Sequence, residues 1–361
     1  MLTRLILSDF RNIASGDLTF SPGVNLLMGE NAQGKTNILE SVFLCATGRS
    51  HRTRFDSQMV RFGQKEAHLR AYVSQMGRED RIDVHLRREG KKGVAVNGIA
   101  VRRSGELFGT LYTVLFSPED LQLIKLGPQE RRRFMDLELC QLSRVYYYHL
   151  QQYHKVLKQR NQLLKTLQKQ RNLLDTLPLW EEQMARFAAE VIHSRQAFVD
   201  KLSDVAGVFY QTITGGREHL SILYRPNCRA EELQEKWLQS LERDIFSGAT
   251  GHGPHKDDLQ FFVDGNDVKL FGSQGQQRTA ALSAKLAEIA LVQEETGQNP
   301  VLLLDDVFSE LDEGRQRFLV EAVVGLQTIL TCTGVEGPVS TMAKQAKIFS
   351  INNGKISVDK F

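Results

Sequence analysis

Apolar and polar positions alternate from the start of the chain. Leu5-Ile6-Leu7, Leu18-Thr19-Phe20 and Val24 to Met28 read as short strands. Between about Ala67 and Val101 the alternation is stricter, as in Arg81-Ile82-Asp83-Val84-His85-Leu86. Val94 to Val101 carries Asn97-Gly98 at its centre, a hairpin signal because both residues tolerate positive φ. Thr113 to Phe116 is a further strand, and Ser117-Pro118 opens a helix with a capping hydroxyl and a proline at its first position.

The period changes at Gly127-Pro128. From Gln129 to about Asn172 there is neither proline nor glycine, and Leu150, Tyr153, Leu157, Leu164, Leu167 and Leu174 recur near heptad spacing. Arg160 and Asn161 interrupt that seam. The pattern predicts a helix of about 40 residues, ~60 Å long, then a turn over Asp175 to Pro178 and a returning helix from Leu179 to Ile213. Tyr146-Tyr147-Tyr148 near the base read as packing between helices rather than as base-stacking residues. Mixed texture returns after about Gly248. Strands are expected at Asp258 to Val263, Pro300 to Leu304, Thr328 to Thr331 and Lys347 to Ile351, with helices at Gln277 to Glu295 and Asp312 to Leu326. The expected class is α/β with a mixed sheet, interrupted by an α-helical hairpin arm. The expected bounds are 1–127 for one half of a head, 128–248 for the arm and 249–361 for the other half.

The strand Val24 to Met28 runs into Gly29-Glu30-Asn31-Ala32-Gln33-Gly34-Lys35-Thr36, a GxxxxGKT loop, and then into an amphipathic segment beginning at Asn37. Strand, glycine loop and helix is the context that a phosphate-binding loop requires. Glycines let successive N–H groups turn inward on phosphate oxygens, and the helix dipole adds positive potential. Lys35 is expected on the β- and γ-phosphates of ATP, and the Thr36 hydroxyl on Mg²⁺. Val301-Leu302-Leu303-Leu304-Asp305-Asp306 supplies the other half: a continuous apolar strand ending in two acids. Asp305 is expected to hold Mg²⁺ and Asp306 to orient or deprotonate the attacking water. Ser273-Gln274-Gly275-Gln276 lies upstream of that strand and Ser309-Glu310-Leu311-Asp312 follows it. They resemble the signature motif and D-loop of ABC-type ATPases. The resemblance implies that Ser273, Gly275 and Gln276 meet the γ-phosphate held by a second protomer, hence an ATP-dependent homodimer. Asp306 stands where transport cassettes carry glutamate.

Charge and cysteine usage add less. Formal net charge is +3, but arginines cluster at Arg49, Arg52 and Arg54 and at Arg131 to Arg133, and Lys155 to Arg171 is strongly basic. Such runs suit a DNA backbone as well as a solvated face. The four cysteines are scattered without a CxxC pair, which argues against a structural zinc and for a reducing, cytoplasmic setting. No apolar stretch approaches the length of a membrane span. His252, His255, Asp257 and Asp258 could suggest a metal, but are read as hydrogen-bonding groups at the core of the head.

Further segments narrow the class. Leu7 to Asn12 resembles the opening of the SMC branch, in which an arginine contacts nucleotide phosphate; Arg11 is the match. Gly48 to Thr53, Phe116 to Leu121, Arg131 to Asp136, Gly253 to Leu259 and Leu303 to Asp312, in that order, resemble the RecF family of recombination-mediator ATPases. Lys256 departs from the arginine usual there. The resemblance covers nearly the whole chain and is least specific over about 140–245. It implies weak ATP hydrolysis, binding to duplex or gapped DNA, and action with RecO and RecR to load the RecA recombinase. In the SMC branch an arginine near Arg49, Arg52 and Arg54 contacts DNA. The readings from other classes are a transport cassette, which would lack the helical insertion, and the ATPase subunit of a repair nuclease.

Overall fold

The computed structural model describes residues 1–75, 77–101, 104–334 and 339–358. The chain divides into two compact units, Met1–Asp120 with Lys285–Phe361, and Leu121–Ala284. The first is built on a six-stranded mixed sheet. Its strands run, in spatial order, Lys355–Val358, Lys347–Asn352, Val24–Met28, Thr328–Cys332, Val301–Leu304 and Thr113–Phe116. All neighbours are parallel except the first pair. Thr328–Cys332, Val301–Leu304 and Thr113–Phe116 are buried at every position, as strands covered on both faces must be. The Lys35–Thr47 helix lies in the same core, with Ile38, Leu39, Val42 and Leu44 fully inaccessible.

The same unit contains a second sheet, wholly antiparallel, in the order Ile13–Thr19, Leu2–Phe10, Glu66–Gln75, Arg78–Arg87, Gly93–Val96, Ile99–Ala100. One face is core and the other faces water: in Glu66–Gln75, Ala67, Leu69, Ala71 and Val73 are buried, and Glu66, His68 and Arg70 are exposed. Gln327 joins the two sheets. Its amide accepts from Leu2 N at 2.7 Å and donates to Leu2 O at 2.7 Å and Ser21 O at 2.9 Å, so a side chain next to Thr328–Cys332 satisfies backbone groups of the antiparallel sheet and of the connection between the two sheets.

The second unit is mainly helical. The expected 40-residue helix is two: Pro128–Leu142 and Arg144–Leu167. Ser143 separates them in an extended conformation, and its hydroxyl accepts from Tyr146 N at 3.1 Å, capping the second helix. Absence of proline and glycine concealed a break that a capping serine makes. The returning helix begins earlier than expected, at Leu177, and runs 38 residues to Thr214, ~57 Å. Gly215, in the left-handed conformation, ends it.

The seam interruptions have partners. Arg160 is fully buried, bonded to Glu181 at 2.7 Å, Asp244 at 2.9 Å and Thr250 at 2.8 Å, and Asn161 accepts from Thr250 N at 2.8 Å. Arg195 likewise binds Asp136 and Asp257, each at 2.8 Å. Tyr146 is buried and donates to Asp136 at 2.5 Å, as packing between helices requires.

A three-stranded antiparallel sheet, Asn266–Asp267, Asp258–Val263 and Leu220–Arg225, completes this unit. Because Leu220–Arg225 pairs along its length with Asp258–Val263, residues past 248 belong with the insertion. The compact units therefore divide at Asp120 and Ala284, not at the expected 127 and 248. Among the described residues no helix is long and apolar enough to cross a membrane.

His255 is a hydrogen-bonding group of the mainly helical unit, not of the core of the head as expected. Its Nδ1 lies 2.5 Å from the Tyr153 hydroxyl and its Nε2 3.0 Å from Thr250 O. The carbonyl can only accept, so Nε2 carries the proton and Tyr153 donates to Nδ1. Burial, opposed by the Thr250 carbonyl, moves its pKa from 6.5 down to about 4. Below pH 6.5 the unfolded chain binds a proton that the folded one refuses. The contribution is therefore complete above that pH and lost as pH falls towards 4, by at most about 3 kcal/mol. Urea midpoints measured between pH 7 and 4 are expected to fall less steeply for His255→Gln than for the native chain; equal slopes would remove His255 from the acid-sensitive groups.

Candidate nucleotide-binding site

The parallel registers bring the two sequence motifs to one edge. Val24–Met28 and Val301–Leu304 flank Thr328–Cys332, with Leu26 opposite Leu330 and Leu330 opposite Leu304. The chain leaves each strand at its carboxyl end, where parallel sheets place ligands. A cavity of about 380 Å³ opens there between the Asn31–Asn37 segment, Asp305 and Asp306.

The loop is shaped by close approach. A Cβ on Gly29 would stand 2.3 Å from Ile351 O, and one on Gly34, whose φ is +117°, 2.7 Å from Asn12 Oδ1. Gly34 caps the Lys35–Thr47 helix, whose first N–H groups face the cavity end of the dipole. Ala32 also has positive φ, at 62°. Lys35 Nζ donates to Gly29 O at 2.5 Å and Glu30 O at 2.9 Å, which holds the ammonium across the loop. Burial lowers its pKa, partly offset by Asp306, Asp305 and Glu30.

Asp305, 6% exposed, ties the motifs together: Thr36 Oγ1 donates to its Oδ1 at 2.8 Å and Thr331 Oγ1 at 3.0 Å. Burial raises its pKa despite the two donors. A raised carboxylate beside a threonine hydroxyl, both oxygen ligands, suits a hard divalent cation, whose charge would reverse that shift. Asp306 sits next to it in a left-handed conformation, φ 50°, with its N–H donated to Thr331 Oγ1 at 2.8 Å. Its carboxylate lines the cavity.

Two residues lie apart from where the motif reading put them. Arg11 makes a two-pronged pair with Glu40, 2.8 and 2.6 Å, and is absent from the cavity wall. Its neighbour Asn12 takes the wall position, donating to Gln33 O at 3.0 Å and accepting from Asn37 at 2.8 Å. Arg52 also lines the cavity: Nη1 donates to Asn37 Oδ1 at 2.9 Å and lies 3.6 Å from Glu40. Arg49 and Arg54 are exposed. Glu40, fully buried, thus holds two arginines, and Ser50 donates to it at 2.5 Å. Burial opposes its charge, but Arg11, Ser50 and Arg52 prevail and its pKa falls below the ordinary value. Sequence reasoning missed Asn12, Glu40 and Thr331. The acidic Glu40 within an apolar helix was the visible signal.

Ser273, Gly275 and Gln276 lie in the second unit, at the start of the Gln274–Thr296 helix. Gln276 N donates to Ser273 Oγ at 3.2 Å, and Gln276 Oε1 accepts from Ser273 N at 2.9 Å. This reciprocal capping box fixes an exposed serine at a helix N-terminus.

The family model described as RecF/RecN/SMC N terminal domain matches residues 1–357. The chain is 48% identical over 352 residues, 98% of each sequence, to the DNA replication and repair protein RecF of Lachnoclostridium phytofermentans. Identity to the protein of the same name from Lachnospira eligens is 46%, covering 97% of both. Among solved structures, the recombination mediator protein RecF with ATP in the RecFOR pathway superposes with TM-score 0.92 at 35% identity, covering 99% of this chain and 97% of that one. An SMC head bound to the C-winged helix domain of ScpA, covering 100% of this chain and 97% of that one, matches with TM-score 0.58 at 15% identity, a likeness of fold alone.

Glu40→Ala strands two arginines around a buried void. It is expected to cost about 3 kcal/mol, the low end for a broken buried pair because Arg11 and Arg52 keep some access to water. Glu40→Gln should cost less. Equilibrium urea unfolding without nucleotide decides it; an alanine variant of native stability would show that the pair contributes nothing net.

Proposed function

The chain belongs to the RecF/RecN/SMC N-terminal domain family, and from that premise we propose that it is an ATP-gated, DNA-binding recombination mediator of DNA replication and repair, acting in the cytoplasm. The observation that carries the reading is Asp305 held by Thr36. It joins the phosphate loop to the acidic strand end as a cation site between them requires. In this reading Gly29 to Asn37 cradle ATP, Thr36 and Asp305 hold Mg²⁺, Lys35 neutralises the β- and γ-phosphates, and Asp306 positions water. Asn12 and Arg52 line the same cavity, so we assign Arg52 to the nucleotide and leave Arg49 and Arg54 as the DNA-facing members of that cluster. Arg11 would act on the nucleotide through Glu40 and Arg52.

Ser273, Gly275 and Gln276, on an exposed helix start, complete the site of a second protomer. A hydroxyl and an oriented dipole suit a γ-phosphate. Hydrolysis is weak and resets the dimer. Duplex or gapped DNA is the nucleic-acid partner, RecR and RecO are the protein partners, and loading of RecA is the outcome. The transport-cassette reading has no account of the helical unit. Sedimentation with and without ATP and short duplex DNA tests dimerisation and partner class together.

Asp306→Asn keeps shape but cannot accept a proton. ATP binding should persist while turnover falls at least about tenfold and the dimer outlives that of the native chain. Unchanged turnover would remove the role. Ser273→Arg should bind ATP as a monomer, and a variant that still sediments as an ATP-dependent dimer would take the serine out of the composite site.

Arg49→Ala with Arg54→Ala should lower the log–log salt slope of DNA binding by up to about two, near 0.9 per phosphate contact, and spare ATP binding. Arg52→Ala should weaken ATP binding first. The reverse pattern would return Arg52 to the DNA surface.

A further inference from the structure

The water-facing side of the antiparallel sheet carries a second cluster of ligand-bearing side chains. Glu66–Gln75 and Arg78–Arg87 pair antiparallel with His68 directly opposite His85 and Glu66 opposite Arg87. Strand alternation therefore places His68 and His85 side by side on the solvated face, with Glu66 two residues from His68 on the same face. The rings stack with centroids 4.2 Å apart and planes 23° from parallel. Glu66 Oε2 lies 3.0 Å from His85 Nε2 and 3.8 Å from His68 Nε2. One donor atom from each of the three residues lies within 4.8 Å of the other two.

We propose that Glu66, His68 and His85 form a binding site for a divalent transition-metal ion of the zinc type, separate from the nucleotide cavity. Three ligands at about 2.0–2.1 Å from a tetrahedral zinc stand about 3.3 Å apart. The two carboxylate-to-imidazole distances, 3.0 and 3.8 Å, bracket that value, and closing the triangle requires the two stacked rings to turn about their side-chain torsions until their in-plane lone pairs converge. His85 Nε2 is sheltered from solvent with the Glu66 carboxylate beside it at 3.0 Å, so an arriving cation would take the place of the proton shared between them. Arg87 Nε sits 3.6 Å from Glu66 Oε1 and engages the other carboxylate oxygen, leaving Oε2 to the histidines. Two imidazoles and a carboxylate select a borderline ion over magnesium, which prefers six oxygens. Glu66 and His68 are exposed, which leaves room for water in the remaining position. Such an ion would clamp two neighbouring strands across the face opposite the core.

The test uses the full chain, purified without a polyhistidine tag and stripped of metal. Zinc chloride is titrated by calorimetry in millimolar Mg²⁺, which satisfies oxygen-only sites. The expected result is one zinc per chain with micromolar or tighter affinity. The loss in His68→Asn/His85→Asn should be at least about 100-fold, more than removal of a supporting outer group causes, and Glu66→Gln should be intermediate. Cobalt should give visible absorption bands of four- or five-coordinate geometry in the native chain and not in the double variant. Circular dichroism of the metal-free proteins establishes that the variants fold, and ATP binding should be unchanged in them. Absence of stoichiometric zinc binding, or binding that survives the double substitution, overturns the site.

Discussion

A carboxylate with two threonine donors organises the candidate site. Asp305 is nearly inaccessible, and an ionised side chain there needs its lone pairs occupied. Thr36 reaches it from the first turn of the phosphate-loop helix, and Thr331 from the strand that separates the two motif strands. Three elements far apart in sequence are thereby fixed to within the length of one hydrogen bond. The same Thr331 hydroxyl accepts from Asp306 N, so the position of the second acid follows from that of the first.

That arrangement presupposes the order of the sheet. With one strand intervening between Val24–Met28 and Val301–Leu304, the two exits stand two strand spacings apart, ~10 Å, on either side of Thr328–Cys332, near enough for a hydroxyl and a carboxylate to meet. The burial that drives this order is ordinary: Val, Ile and Leu on both faces of parallel strands. Chemistry is confined to the carboxyl ends, where the backbone turns left-handed at Asp306 and glycine permits contacts that a Cβ would forbid.

Much of this was legible in the sequence because it is local. Gly29 to Thr36 between a strand and a helix, and four apolar residues running into Asp305-Asp306, each carry their context with them. Ser143 was not legible as a break, since a capping serine is common inside helical runs and the outcome depends on tertiary packing. Nor was the pairing of Leu220–Arg225 with Asp258–Val263, a non-local contact that periodicity does not encode. The pair Arg11–Glu40 was hidden for the same reason: two oppositely charged residues in different elements give no signal at 29 positions' separation. Arg52 shows the limit of charge clustering. Three arginines in six positions look alike in sequence and all three are exposed, yet Arg52 alone of them lines the cavity.

The capping box at Ser273 divides that hydroxyl between two tasks. An oxygen that accepts Gln276 N–H has its side-chain torsion fixed by its own helix, while its proton stays free to swing outward. The serine is thus spent as a lone-pair base towards the chain and held in reserve as a proton donor towards whatever anion approaches the helix end. Threonine would preserve both halves, asparagine or aspartate would preserve the cap and change or abolish the donor, and alanine would lose both. In the proposed composite site, the helix start and the recognition of an outside phosphate would be readings of one atom, and a change made for either would alter the other.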